Sequence, residues 1–289
     1  MDWLDPRLLA PSHDLEWVAT RLADGLRGGR HHAARRGRGI EFAQHRSYDR
    51  GDDVRLIDWK AFARTERLVI REAEVEADHR FWLIVDASPS MAARDPDQPR
   101  TKLDVARAVA AGLCAVAERQ GDDYGLAVPG RGIVLPPGQG RAWFNRMLAR
   151  LHDLTPDHRP ARDESTRMAV AMQASQRTSD AVILTDAYDE IGPQVRLAHE
   201  LVAHGVTVRV LALESTLERD WRYGAAADFI DLETGSRVPS HPQARREYVA
   251  RRQAHFADLA EQLADVGARF DRFCTDEPWD RQLRRWAAP

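Results

Sequence analysis

From residue 80 onward, short runs of consecutive apolar residues alternate with longer stretches whose apolar positions recur every three or four residues. The short runs read as strands buried on both faces, and the three-to-four spacing reads as helices packed along one stripe. The pattern predicts strands over 81–86, 124–128, 132–135, 181–185, 206–213 and 269–274. Helices are predicted over 103–118, 143–151, 168–175, 195–204 and 243–266, with a short terminal helix after Pro278. In the first of these, Leu103, Ala106, Ala110, Leu113, Cys114 and Ala117 share a stripe. Pro129-Gly130 marks a turn, and 226–238 reads as a hairpin around Thr234-Gly235. Such alternation is the signature of an α/β fold, a doubly wound, mostly parallel sheet with helices on both faces.

Residues 1–79 do not follow the alternation. A helix is predicted over 15–26, the Gly- and Arg-rich stretch 27–39 reads as a loop, and 68–75 alternates like an exposed strand. Between them Tyr48, Asp52, Asp53, Asp58, Trp59 and Arg64 lie among apolar positions. The expected organisation is an N-terminal, β-rich module over 1–77 that elaborates the edge of an α/β domain over 78–289.

Composition narrows the function classes. The net charge of −3 across 289 residues does not favour a nucleic-acid or anionic-membrane partner. Cys114 and Cys274 are the only cysteines, and their separation argues against a disulfide framework or a zinc site. The longest apolar runs fall well short of the ~18 residues a membrane helix needs, and no secretory leader pattern opens the chain. A cytoplasmic location is the expectation.

The candidate chemistry lies where the strand over 81–86 ends. Asp86, Ser88 and Ser90 form a D-x-S-x-S cluster, and alternate positions of an extended segment point the same way. One carboxylate and two hydroxyls suit a hard cation such as Mg2+, with Mn2+ or Ca2+ as alternatives. Asp186 closes the strand over 181–185 in the same manner, and Thr166, where a helix opens, is the best-placed third hydroxyl. Ligands bind outside the carboxyl ends of strands in open parallel sheets, so three loops converge on one crevice. Two carboxylates match a divalent ion and leave it room for an outside ligand, such as a partner's Asp or Glu. A two-metal hydrolytic site needs more carboxylates; Asp95, Asp97, Asp189 and Glu190 are available to a phosphoesterase alternative. The bland alternative is a turn with Ser88 or Ser90 as a helix cap.

These residues resemble the metal-ion-dependent adhesion site of von Willebrand factor A-like domains. A narrower similarity covers about residues 15–286: Gly37-Arg-Gly-Ile-Glu-Phe42, Arg46-Ser-Tyr48, Gly51-Asp-Asp-Val-Arg55, Ile57-Asp-Trp59, Ala63-Arg64 and Arg71-Glu72 look like the bacterial family called domain of unknown function 58. In that family such a module precedes a von Willebrand A-like, Rossmann-like domain. The resemblance implies a non-enzymatic adaptor that works with a MoxR-type AAA+ ATPase in assembly or activation of client proteins. It implies Asp86, Ser88, Ser90, Thr166 and Asp186 as the metal ligands.

Other clusters have plainer readings. Arg46, Arg50, Arg55, Arg64 and Arg71 with Asp49, Asp52, Asp53 and Asp58 read as an ion-pair lattice, or alternatively as a docking face. The run Arg27 to Arg38, with His31 and His32, lacks interleaved aromatics and reads as a solvated loop. Arg245, Arg246, Arg251 and Arg252 read as the charged outer face of a helix above a Tyr248/Phe256/Leu259/Leu263 stripe. No P-loop and no G-x-S-x-G elbow is present. A scaffold with a vestigial metal site is the remaining alternative.

Overall fold

The computed structural model describes residues 15–26, 42–48, 57–73, 80–95, 98–157, 179–188, 191–221, 228–232, 235–239 and 244–287. They fall into two compact units, one drawn from 1–31 and 79–289, the other from 32–78. Helix α1 (Leu15–Leu26) therefore belongs with the α/β unit, where it packs on the long helix described below. The expected module over 1–77 differs from these units in α1, which buries Val18, Ala19, Leu22 and Ala23 in the larger unit's core.

The smaller unit contains a two-stranded antiparallel sheet, β1 (Phe42–Ser47) with β2 (Val69–Ala73), and helix α2 (Trp59–Thr65). Neither β1 nor α2 stands out in the apolar pattern. Asp58 is the signal for α2: its carboxylate accepts from the Lys60 and Ala61 N–H groups at 3.0 Å each, an N-cap. Asp58 thus caps a helix, and Arg64 Nε bonds the Lys60 carbonyl at 3.3 Å. Residues 49–56 of the expected ion-pair lattice lie outside the described residues.

The larger unit is a mixed α/β structure around a six-stranded sheet. Its strands are β3 (Arg80–Val85), β4 (Asp123–Val128), β5 (Gly132–Gly138), β6 (Asp180–Thr185), β7 (Thr207–Glu214) and β10 (Arg269–Cys274). They are ordered β10-β7-β6-β3-β4-β5, all parallel except β5. A separate hairpin pairs β8 (Asp228–Ile230) with β9 (Arg237–Pro239). The helices are α3 (Lys102–Gln120), α4 (Arg141–His152), α5 (Ile191–Ala203), α6 (Thr216–Asp220), α7 (Ala244–Asp265) and α8 (Trp279–Ala287). Pleating splits β3 between two cores: Phe81, Leu83 and Val85 face α1, α3, α4 and α8, while Trp82 and Ile84 face α5 and α7. The expected helix over 168–175 lies outside the described residues.

Two local features fix how α3 sits. Thr101 and Asp104 form a capping box at its start, each side chain bonded to the other's backbone N–H. Gly112, midway along, lets α1 approach closely, since a Cβ there would lie 2.8 Å from Leu22 Cβ. Gly112→Ala is expected to destabilise the protein by about 1–2 kcal/mol in urea unfolding, the overpacking cost exceeding the ~1 kcal/mol gain in helix propensity.

The chain order determines where a crevice opens. After β3 the chain moves outward to β4 and β5, then returns to place β6 on the other side of β3. The carboxyl ends of β3 and β6 flank this reversal, the position at which open α/β sheets bind ligands.

Candidate functional site at the carboxyl edge of the sheet

Asp86 follows β3 and Asp186 follows β6, so the reversal point brings both acids to one edge. Strand register ties them: Val85 pairs with Leu184, and the Asp86 N–H donates to the Leu184 carbonyl at 2.8 Å. Thr185, next in β6, donates its hydroxyl to Asp86 Oδ2 at 2.8 Å. The other oxygen, Oδ1, accepts the Ser88 N–H at 2.8 Å. Asp86 is thereby held in one orientation.

The serines converge by a different route from the one the sequence predicts. Residues 86–88 are not a continuing strand, and Pro89 opens a 3-10 turn over Pro89–Ala92. The turn, and not strand alternation, places Ser88 Oγ 3.0 Å from Ser90 Oγ. Ser88 stands at the N-cap of that turn without a side-chain cap bond, and α3 is capped by Thr101. Helix capping therefore does not account for the Ser88 hydroxyl.

Asp186 is buried, with 2% of its surface exposed. The chain turns sharply just after it: Ala187 has a φ of 55°, left-handed for a residue with a side chain. That conformation is held by the Ala187 N–H on Thr185 Oγ1 at 3.1 Å and by His255 Nε2, 2.7 Å from the Ala187 carbonyl. Strain of this kind persists where surrounding contacts over-determine it, and it gathers at functional sites.

The structure adds a charge that sequence reasoning missed. Lys102 Nζ lies 3.3 Å from Asp186 Oδ2 and 2.7 Å from Glu218 Oε1, with its side chain only 5% exposed. Burial alone would lower the ammonium's pKa, but Asp186 and Glu218 reverse that and raise it. Beside the expected two carboxylates, Asp186 is thus already paired with a lysine, and Glu218 adds a third carboxylate. Glu218 is held in turn, since its Oε2 accepts the Ser215 N–H at 3.1 Å.

Asp86 carries the complementary strain. Burial, and next the charge of Asp186, push its carboxyl up to about 6 from 3.8, against the hydrogen bonds from Ser88 and Thr185. Because the folded value lies above the unfolded one, this group's contribution to stability is complete below about pH 4 and is lost as pH rises through 6. The loss approaches ~2–3 kcal/mol in chelator. Thermal unfolding in EDTA between pH 4 and 8 should show it, and Mg2+ should restore stability chiefly above pH 6 because cation and proton compete for the carboxylate.

The donor set fits a small hard cation. Ser88 Oγ and Ser90 Oγ share a hydrogen bond at 3.0 Å, a separation that also suits two ligands of one Mg2+, which at ~2.0–2.1 Å lie about 2.9 Å apart along an octahedral edge. Among the described residues no group of three or more His, Cys, Asp or Glu could hold a metal, so a site here rests on hydroxyls beside two carboxylates. Thr166, Asp97, Asp189 and Glu190 lie outside the described residues. Asp95 accepts from Ser215 Oγ at 2.8 Å. Cys114 is fully buried and its thiol pKa is raised by burial, in keeping with an inert core residue.

These features define a mixed α/β protein with a partly buried acidic and hydroxyl cluster at the sheet's reversal point. The chain belongs to the family described as "Protein of unknown function DUF58", whose sequence profile matches residues 44–258. It is 28% identical to the uncharacterized protein Rv1480 of Mycobacterium tuberculosis, across 98% of this chain and 90% of that one. Among solved structures it is similar to BatB from Bacteroides thetaiotaomicron at 14% identity and a TM-score of 0.46, over 72% of this chain and 98% of that one. A similar match is an aerotolerance-related membrane protein from Bacteroides fragilis, at 16% identity and a TM-score of 0.46, over 72% and 97%. That neighbour is described as a membrane protein, and the expectation of a cytoplasmic location is withdrawn for this chain. No helix among the described residues is long and apolar enough to cross a membrane.

Proposed function

We propose that this chain is a protein-binding adaptor of von Willebrand A type that captures an acidic partner residue through a divalent cation. The observation that carries the reading is the hydroxyl pair Ser88–Ser90, set 3.0 Å apart beside Asp86. Ser88, Ser90 and Thr166 would bind Mg2+ directly, and Asp86 and Asp186 would hold it in part through water. The ion supplies a Lewis-acidic coordination position for an outside carboxylate. Thr185 and the Ser88 N–H orient Asp86, and Lys102 holds Asp186 through an ion pair. The partners proposed are a MoxR-type AAA+ ATPase and a client protein, and the chain itself performs no catalysis.

Lys102 favours a second reading, a scaffold whose metal site is vestigial, because its ammonium is a cation already engaged with Asp186. A pull-down of the ATPase and client in Mg2+ and in EDTA separates the two. Capture lost in EDTA and in Asp86→Ala supports the adaptor. Capture indifferent to both supports the scaffold, and phosphoester turnover lost in Asp86→Ala would instead indicate an enzyme.

A further inference from the structure

A second site lies at the same edge of the sheet, toward β7 and β10. A cavity of about 910 Å³ is lined by Arg219, Arg245, Arg246, Arg252 and Arg272, with Asp220 its one acidic side chain among the described residues. Its volume is that of a small-molecule site. The sequence places Arg252 on the charged outer face of α7; in the structure it is buried, with 7% of its surface exposed. The guanidinium sits over the Phe256 and Tyr188 rings, 4.5 and 4.6 Å from their centroids. Its Nη2 donates to Glu214 at 2.8 Å, but Nε and Nη1 are buried and find no hydrogen-bond partner among the described residues.

Three observations make this more than a basic surface. Glu214 serves two guanidiniums, accepting from Arg272 Nε and Nη2 at 2.6 Å each as well as from Arg252, so one carboxylate balances two cations. Buried unpaired donors are costly, and each such group calls for an explanation, a bound ligand among them. Arg245 and Arg246 occupy the first turn of α7, where the helix dipole disfavours positive charge.

We propose that this cavity binds a small phosphate-bearing anion, with Arg252 as its buried anchor and Arg245 and Arg246 closing on the ligand from the rim. Planar guanidinium forks match phosphate oxygens in pairs. A compact polyphosphate carries oxygens and charge enough for Arg252 and the arginines around it. The site uses none of the cation ligands at Asp86, so it stands or falls apart from the metal reading.

Calorimetric titration of the full chain in EDTA and low salt tests it, with inorganic tripolyphosphate, ATP and poly-glutamate as probes. Tripolyphosphate should bind and raise the melting temperature. Arg245→Ala/Arg246→Ala and, separately, Arg252→Lys should each weaken binding at least about tenfold. Arg251→Ala, an exposed change on the same helix but off the cavity, should leave binding intact. ATP binding as tightly as tripolyphosphate would identify a nucleotide as the phosphate source, and tripolyphosphate alone would identify a free polyphosphate. Absence of binding, equal loss in Arg251→Ala, or tighter binding of poly-glutamate would overturn the proposal. The rim double variant, exposed at both positions, keeps the test valid should Arg252→Lys fail to fold.

Discussion

Asp86→Asn is expected to weaken Mg2+ binding by about 10–100-fold, the range that loss of an outer-shell partner costs, while making the metal-free protein more stable. Both effects come from one carboxylate. The carboxamide keeps an acceptor for the Ser88 N–H, which Asp86 Oδ1 now receives at 2.8 Å, so the turn survives. What disappears is a negative charge opposed by burial and by Asp186. Above pH 6 that charge weighs against the folded state, and removing it should return about 1–3 kcal/mol in chelator. Calorimetry with Mg2+ and urea unfolding in EDTA, both at pH 7.5, read the two signs separately. A variant that loses stability and retains Mg2+ affinity would show that Asp86 is a structural group only.

Lys102→Met should act in the opposite sense on both quantities. Its ammonium is shared by Asp186 and Glu218. Truncating one partner of a buried ion pair leaves the other uncompensated and costs ~3–5 kcal/mol. Methionine fills much the same volume, so the loss is chiefly electrostatic and should be largest in EDTA. Mg2+ affinity should meanwhile rise about tenfold or more, because a positive charge is removed beside Asp186. If the natural protein shows no Mg2+ binding and Lys102→Met does, the lysine is the resident cation and the vestigial reading holds. If affinity is unchanged, the ammonium does not compete with the ion.

How much of this was legible in the sequence depends on the range of the interaction concerned. β3 and β6 were readable because uninterrupted apolar runs have few other uses, and both ended within a residue of prediction, at Val85 and Thr185. Asp86, Ser88 and Ser90 were legible as a cluster because the interaction is local, although the mode of convergence was not: Pro89 starts a 3-10 turn that alternation does not anticipate. Lys102 was missed because its partner lies 84 residues away. In sequence it looks like a solvated first-turn residue, and its one local clue is a positive charge at a helix N-terminus. Arg252 was misplaced for a related reason. Helical periodicity puts it beside exposed arginines, while the carboxylate that draws it inward, Glu214, is on β7. α2 was overlooked although Asp58 stands in a capping position, because a helix of seven residues carries too few apolar positions to show a period.

The central question is whether the hydroxyl pair beside Asp86 holds a cation. Crystals soaked in Mn2+ and measured at its absorption edge test this most directly. The prediction is an anomalous peak within bonding distance of Ser88 Oγ and Ser90 Oγ, with Thr166 brought to the ion and one coordination position open to an outside carboxylate. No peak at that position, with Lys102 still on Asp186, would contradict it.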